Sequence, residues 1–173
     1  MGACETDRYP YLQMVRNRMR AAVERQIPLL GICLGGQILA DLFGGNVHSN
    51  HHGEKGVKTV SLSSRGKKDP LFQGVSETFP SFQWHNDSFD PPKGAVVLAR
   101  SKTCPFQAFV LGKNAYGLQF HPEVDQDMVF LWSGLEGDAA SQQRHVKAFE
   151  KVVHSYRRVS FRIFDNFFNL AGL

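Results

Sequence analysis

Two short stretches of this 173-residue chain hold residues whose types and spacing could do chemistry. The first is Gly31-Ile32-Cys33-Leu34-Gly35-Gly36-Gln37. A cysteine between glycines in a G-x-C-x-G pattern has the spacing of a nucleophile elbow, with sulfur in place of oxygen. A sharp strand-to-helix turn leaves no room for side chains beside the nucleophile, so glycines at 31 and 35 fit it. The turn would set the thiol near a helix N-terminus, whose partial positive charge favours thiolate. The N–H of Leu34 is then a candidate oxyanion donor.

A catalytic cysteine needs a base, and the base needs an orienting acceptor. The second stretch, Tyr116-Gly117-Leu118-Gln119-Phe120-His121-Pro122-Glu123-Val124, supplies both. Its apolar part predicts a strand, with His121 at its end. Residues i and i+2 of an extended chain face one side, so His121 and Glu123 project together. Pro122 keeps that segment extended. A carboxylate beside an imidazole fixes its tautomer and stabilises its cation. Cys33, His121 and Glu123 therefore make a coherent triad of nucleophile, base and orienter.

The elements that must position these groups follow from periodicity and turn residues. Tyr11 to Gln26 predicts a helix on Tyr11, Val15, Met19, Ala22 and Val23, with arginines between. Ile27 to Ile32 is apolar throughout, like a strand buried on both faces at the centre of a parallel sheet. Leu34 to Phe43 continues as a helix, stopped by Gly44-Gly45. Asn46 to Gly56 reads as a polar loop, with a strand over Val57 to Ser63 and a basic turn over Ser64 to Lys68. Further strands are expected over Phe79 to Trp84 and Ala95 to Ala99. Phe106 to Leu111 and Ala115 to Phe120 form a hairpin turned by Gly112-Lys113-Asn114. Helices follow over Asp138 to Tyr156 and Ser160 to Leu170, the last with an apolar stripe of Phe161, Phe164, Phe167 and Phe168 facing the core. No repeat, low-complexity tract or linker divides the chain, so residues 1–173 are expected to be one domain. The class is α/β, with ligands beyond the carboxyl ends of the strands, where Cys33 lies.

Bulk properties narrow the function. Hydrophobic residues make up 42% and charged residues 21%, an ordinary globular balance. The formal charge is +4, but the basic residues are dispersed. Arg16, Arg18, Arg20 and Arg25 read as a solvated helix face, so no nucleic-acid partner is expected. No apolar run is long enough to span a bilayer, and the polar, acidic first residues are not a signal peptide. Three cysteines, Cys4, Cys33 and Cys104, form no disulfide framework, which fits a reducing, cytoplasmic setting. His48, His51 and His52 lack an acidic or cysteine partner at ligand spacing, so no metal site is expected. There is no Walker A or dinucleotide-binding pattern, and no cofactor is expected.

Taken together, G-I-C-L-G-G-Q followed downstream by G-L-Q-F-H-P-E-V resembles the class I (triad) glutamine amidotransferases. The resemblance extends through Glu5 to Pro10, Gln83-Trp84-His85-Asn86-Asp87-Ser88-Phe89, Leu98 to Ser101 and Gln107-Ala108-Phe109. These intermediate stretches look most like the stand-alone, GMP synthase-like domains. The resemblance implies a flavodoxin-like, class I amidotransferase-type sheet with flanking helices. It implies hydrolysis of the glutamine side-chain amide through a Cys33 γ-glutamyl thioester, with Gln37 and the His85-Asn86-Asp87 loop near the substrate. An ammonia-accepting synthase partner would follow. The family domain opens with a strand–helix–strand before the segment seen here, so the fold is expected to be N-terminally incomplete, with one oxyanion donor missing or displaced. Two other functions stay open: a hydrolase of γ-glutamyl peptides or amides, and a non-catalytic module that retains the triad letters.

Overall fold

The computed structural model describes residues 2–3, 5–135 and 138–173. Cys4, one of the three thiols, lies outside the described residues. The helix α1 (Tyr11–Glu24) leads into β1 (Leu29–Ile32) and then directly into α2 (Leu34–Leu42). Next come β2 (Asn46–His48), β3 (Glu54–Leu62), β4 (Thr78–His85), β5 (Ser88–Asp90), β6 (Val96–Arg100), β7 (Ala108–Leu111) and β8 (Ala115–Leu118). Three helices close the chain: α3 (Gln126–Gly134), α4 (Ala139–Glu150) and α5 (Val153–Ala171).

Six strands form one sheet in the order β1-β8-β7-β6-β3-β4, and β2 pairs with β5 in a small ribbon. Only β1 and β8 run parallel; β8-β7, β7-β6, β6-β3 and β3-β4 are antiparallel. The sheet is thus mixed, and β1 lies at its edge rather than at the centre of a parallel sheet. Its residues Leu29, Leu30 and Ile32 are accordingly half-buried, although the apolar run suggested burial on both faces. The β7–β8 hairpin turns through residues 112–114, with Gly112 at φ 65°. That left-handed conformation suits glycine. The turn also aligns β1: Leu29 N–H donates to the Asn114 carbonyl at 3.0 Å.

Alternation along the strands splits the core between the two faces of the sheet. Ala108, Val110, Tyr116 and Leu118 pack with Ile163 of α5, while Phe109 and Ala115 pack with Leu12, Met19, Ile38 and Leu39 of α1 and α2. A third cluster joins Phe82 of β4 to Val124, Val129, Phe149 and Tyr156 at the end of the sheet where the candidate triad lies.

Several sequence expectations need correction. The apolar residues of α1 do not all face inward: Leu12 and Met19 are buried, and Tyr11 is 49% exposed. Arg16 is not a solvated charge, because its guanidinium bonds Asp41 at 2.6 Å. The polar loop after α2 contains β2 and the start of β3, and β5 interrupts the loop after β4. The chain breaks between α4 and α5 at 151–152, so Tyr156 belongs to α5. The buried positions of α5 are Tyr156, Ser160 and Ile163, while Phe161 is 67% and Phe168 49% exposed. The core-facing stripe continues through Phe167 and Leu170, about a third of a turn from those two phenylalanines.

Candidate active site

The parallel pairing of β1 and β8 builds the site. Its register sets Ile32 beside Leu118, so the two strands end level. Cys33 and Gln119 are the next residues on each, and His121 follows two positions on. Cys33 N–H donates to the Leu118 carbonyl at 2.7 Å, which pins the turn to the neighbouring strand. Cys33 then adopts φ 48°, ψ −103°, a left-handed conformation rare for a residue with a Cβ. Gln37 N–H closes the first helical turn on the Cys33 carbonyl at 3.0 Å. Leu34 occupies the first helical position, where its N–H has no intrahelical acceptor and is available to an oxyanion.

The glycines serve different ends from those the motif suggested. A methyl at Gly31 would lie 2.6 Å from the Gly35 backbone, so the turn requires glycine there. At Gly35 the same methyl would meet nothing within 4 Å. Gly36 is the second residue under steric demand, because its added carbon would lie 2.7 Å from the Leu118 carbonyl oxygen. Gly36 therefore lets α2 sit directly on β8.

His121 is held on every side. Its N–H donates to the Phe82 carbonyl at 2.9 Å, and its carbonyl accepts the buried Tyr156 hydroxyl at 2.8 Å. Its Nδ1 lies 2.6 Å from Glu123 Oε1, and its ring meets Trp132 at 4.9 Å between centroids. With Nδ1 engaged, Nε2 is the nitrogen left for the Cys33 thiol, and it is buried without a hydrogen-bond partner. Burial disfavours the imidazolium, but Cys33 and Glu123 outweigh it and push the His121 pKa up to about 9. The imidazole is therefore held as its cation at neutral pH.

The thiol opens on a cleft of about 550 Å³ lined by Cys33, Leu34, Gln37, His85, Asn86 and Asp87. Gly2, Ala3, Glu5, Val47, Ser49 and Trp84 complete the wall. The Asp87 loop is tied down on both sides of its residue. Its carboxylate accepts Ser49 Oγ at 3.2 Å and Asn50 N–H at 2.9 Å. Its carbonyl lies 2.8 Å from His85 Nδ1 and accepts Gln37 Nε2 at 3.2 Å. A carbonyl only accepts, so Nδ1 carries the His85 proton. Burial lowers the His85 pKa to about 4, opposed by the Asp87 contact, so the ring is neutral at pH 7. Its 3.9 Å approach to Glu54 is then no ion pair. Glu54 is buried beneath the wall, accepting Ser101 Oγ at 2.8 Å and Gln107 Nε2 at 2.6 Å. Burial raises its carboxyl above the ordinary range, against those hydrogen bonds.

The structure thus brings Cys33, His121 and Glu123 together, and sets Leu34, Gln37, His85, Asn86 and Asp87 around one cleft. Sequence reasoning missed Gln119, whose Nε2 lies 3.7 Å from the Cys33 sulfur. Its signal was available: position 119 is two before His121 on the same strand side. Trp132 and Tyr156, which hold the His121 ring and backbone, come from helices with no local motif. Among the described residues, no three His, Cys, Asp or Glu side chains are grouped as metal ligands. His48 instead pairs with Asp90 at 2.8 Å.

The glutamine amidotransferase class-I family model matches residues 7–128, most of the chain and both motifs up to the triad. The chain belongs to the class-I glutamine amidotransferase family. Over 144 residues the amidotransferase chain is 33% identical to a glutamine-hydrolyzing GMP synthase of Clostridium novyi, covering 75% of this chain and 28% of that one. Over 100 residues it is 38% identical to a glutamine-hydrolyzing GMP synthase subunit of Sulfolobus acidocaldarius, covering 57% of this chain and 52% of that one. It therefore spans between about a quarter and half of the length of these curated relatives. Its fold matches the crystal structure of a Thermotoga maritima glutamine amidotransferase with a TM-score of 0.83 at 30% identity, over 99% of this chain and 74% of that one. The mixed α/β sheet with flanking helices is the class-I amidotransferase architecture. These relatives do not favour the γ-glutamyl peptide hydrolase alternative.

Proposed function

We propose that residues 1–173 form one catalytic domain that hydrolyses the side-chain amide of glutamine to glutamate and ammonia. The observation that carries this reading is the β1–β8 register, which brings an elbow cysteine level with the strand end bearing His121 and Glu123. Cys33 Sγ attacks the carboxamide carbon, and His121 takes up the thiol proton. The oxyanion of the tetrahedral intermediate accepts the Leu34 N–H. His121 returns the proton to the amide nitrogen as the C–N bond breaks, and ammonia leaves a γ-glutamyl thioester. Water then attacks the thioester, gives a proton to His121, and expels Cys33 as the C–S bond breaks. Glu123 keeps the ring oriented through both steps. Gln37, Asn86 and Asp87 are the groups on the cleft wall that would meet the bound glutamine.

The ammonia passes to a synthase partner in this reading, which is supported by relatives named GMP synthase, one of them a separate synthase subunit. A reducing, cytoplasmic setting is supported by Cys33 and Cys104, both free thiols. Among the described residues no helix is long and apolar enough to cross a membrane. The test is ammonia release from glutamine. It should be lost in Cys33→Ala, and turnover unchanged in that variant would overturn the assignment.

A further inference from the structure

A chain of polar side chains runs from the cleft wall to the sulfur, and its atoms orient one another. It starts at the Asp87 carbonyl, which can only accept. That fixes the Gln37 amide with Nε2 towards Asp87, at 3.2 Å. The same Nε2 lies 3.5 Å from Gln119, and as a donor it must face the Gln119 oxygen. Gln119 Oε1 is thereby committed, and its Nε2 is the atom turned to Cys33 Sγ, 3.7 Å away. The residue is fully buried, and its backbone N–H is held by the Gln107 carbonyl at 2.9 Å. The Gln119 donor cannot swing away to water.

We propose that Gln119 is a catalytic residue, a fixed hydrogen-bond donor that holds Cys33 as thiolate alongside His121. The inference rests on the triad reading above. A neutral amide donor supplies what the imidazole cannot, because its hydrogen bond does not depend on where the shared proton sits. This matters most in thioester hydrolysis. There the C–S bond breaks and the electron pair returns to sulfur while His121 is managing the proton from water. A donor already aimed at the sulfur stabilises that departing thiolate without reorganising.

The test reads the thiol directly, through the pH dependence of Cys33 alkylation by iodoacetamide, with the modified site quantified by mass spectrometry. Gln119→Leu removes the donor, and Gln119→Met removes it while keeping a side chain of similar length. A hydrogen bond to a charged group is worth a factor of about ten to a hundred in ionisation. The alkylation midpoint should therefore move up by about one to two pH units in Gln119→Leu and in Gln119→Met alike. Unchanged midpoints overturn the proposal, including where the melting temperature falls, since a packing role would do only that. If Gln119→Leu fails to fold, Gln119→Met decides alone. Because iodoacetamide reports the thiol whether or not glutamine is turned over, failure here is distinct from failure of the glutaminase assignment.

Discussion

Replacing Glu123 by glutamine tests the electrostatics of the triad with little change of shape. The His121 cation owes its stability to Cys33 and Glu123, which together carry its pKa from 6.5 to about 9 against the cost of burial. Glu123 Oε1 lies 2.6 Å from Nδ1, and the imidazole side chain is only 8% exposed, so little solvent screens the pair. The amide introduced by Glu123→Gln can still accept from Nδ1, but it brings no charge. An opposite charge at such a distance is worth about one to three pH units, and the partial exposure of Glu123 puts the loss at the lower end, about one to two. The folded-state value is raised, so the contact stabilises the native protein fully below pH 6.5. That stability is lost as the pH rises through about 9. In Glu123→Gln the His121 Hε1 resonance should titrate about one to two pH units lower, followed by NMR on protein labelled at histidine and assigned with His121→Asn. The alkaline limb of kcat for ammonia release should fall with it, because the imidazolium that protonates the leaving amine is lost earlier. Cys33 and His121 exchange a proton, so the midpoint belongs to the pair. An unmoved His121 titration in Glu123→Gln would refute the claim that this carboxylate sustains the cation.

Two further predictions concern the elbow. Cys33 has φ 48°, where a Cβ costs about 1–3 kcal/mol, so Cys33→Gly should melt higher than Cys33→Ala by about 2–12 °C, although both lack the thiol; equal melting temperatures would show that the turn carries no strain. Gly36→Ala would drive a carbon to 2.7 Å from the Leu118 carbonyl, and should cost about 1–3 kcal/mol in urea unfolding and lower kcat by shifting Cys33 away from His121, whereas Gly35→Ala should pack without clash.

The triad was legible because each of its parts is local. An elbow needs only neighbouring residues, and the i, i+2 pairing of His121 and Glu123 needs only an extended backbone. What joins the two stretches is not local. The register of β1 on β8 couples residues 86 positions apart, and nothing in the sequence near Leu29 points to Ala115 as its partner. The apolar run before Cys33 suggested a central strand for the same reason: composition reports what a strand prefers to touch, and the partners are set elsewhere. The helix α3 was missed because its residues give little helical period, with Phe130 and Leu131 exposed beside buried Val129. In α5 the error was one of phase. Tyr156, Ser160, Ile163, Phe167 and Leu170 follow the helical spacing inward, but a serine among them and the abundance of phenylalanine drew the stripe one position too far round.

That contrast bears on which residues govern the chemistry. The motifs carry the triad itself, while the groups that hold His121 in place come from distant elements. Tyr156 on α5 fixes the His121 carbonyl, Trp132 on α3 packs its ring, and Phe82 on β4 accepts its N–H. His121 is therefore clamped by three elements besides its own, whereas Cys33 is held across the β1–β8 boundary, through the Leu118 carbonyl and the Gln119 amide. A perturbation of α3 or α5 should displace the imidazole and leave the thiol in place. Loss of the β1–β8 pairing should displace the thiol and leave the imidazole held. The catalytic distance is set by two independently supported halves, and the β1–β8 register is what makes them meet.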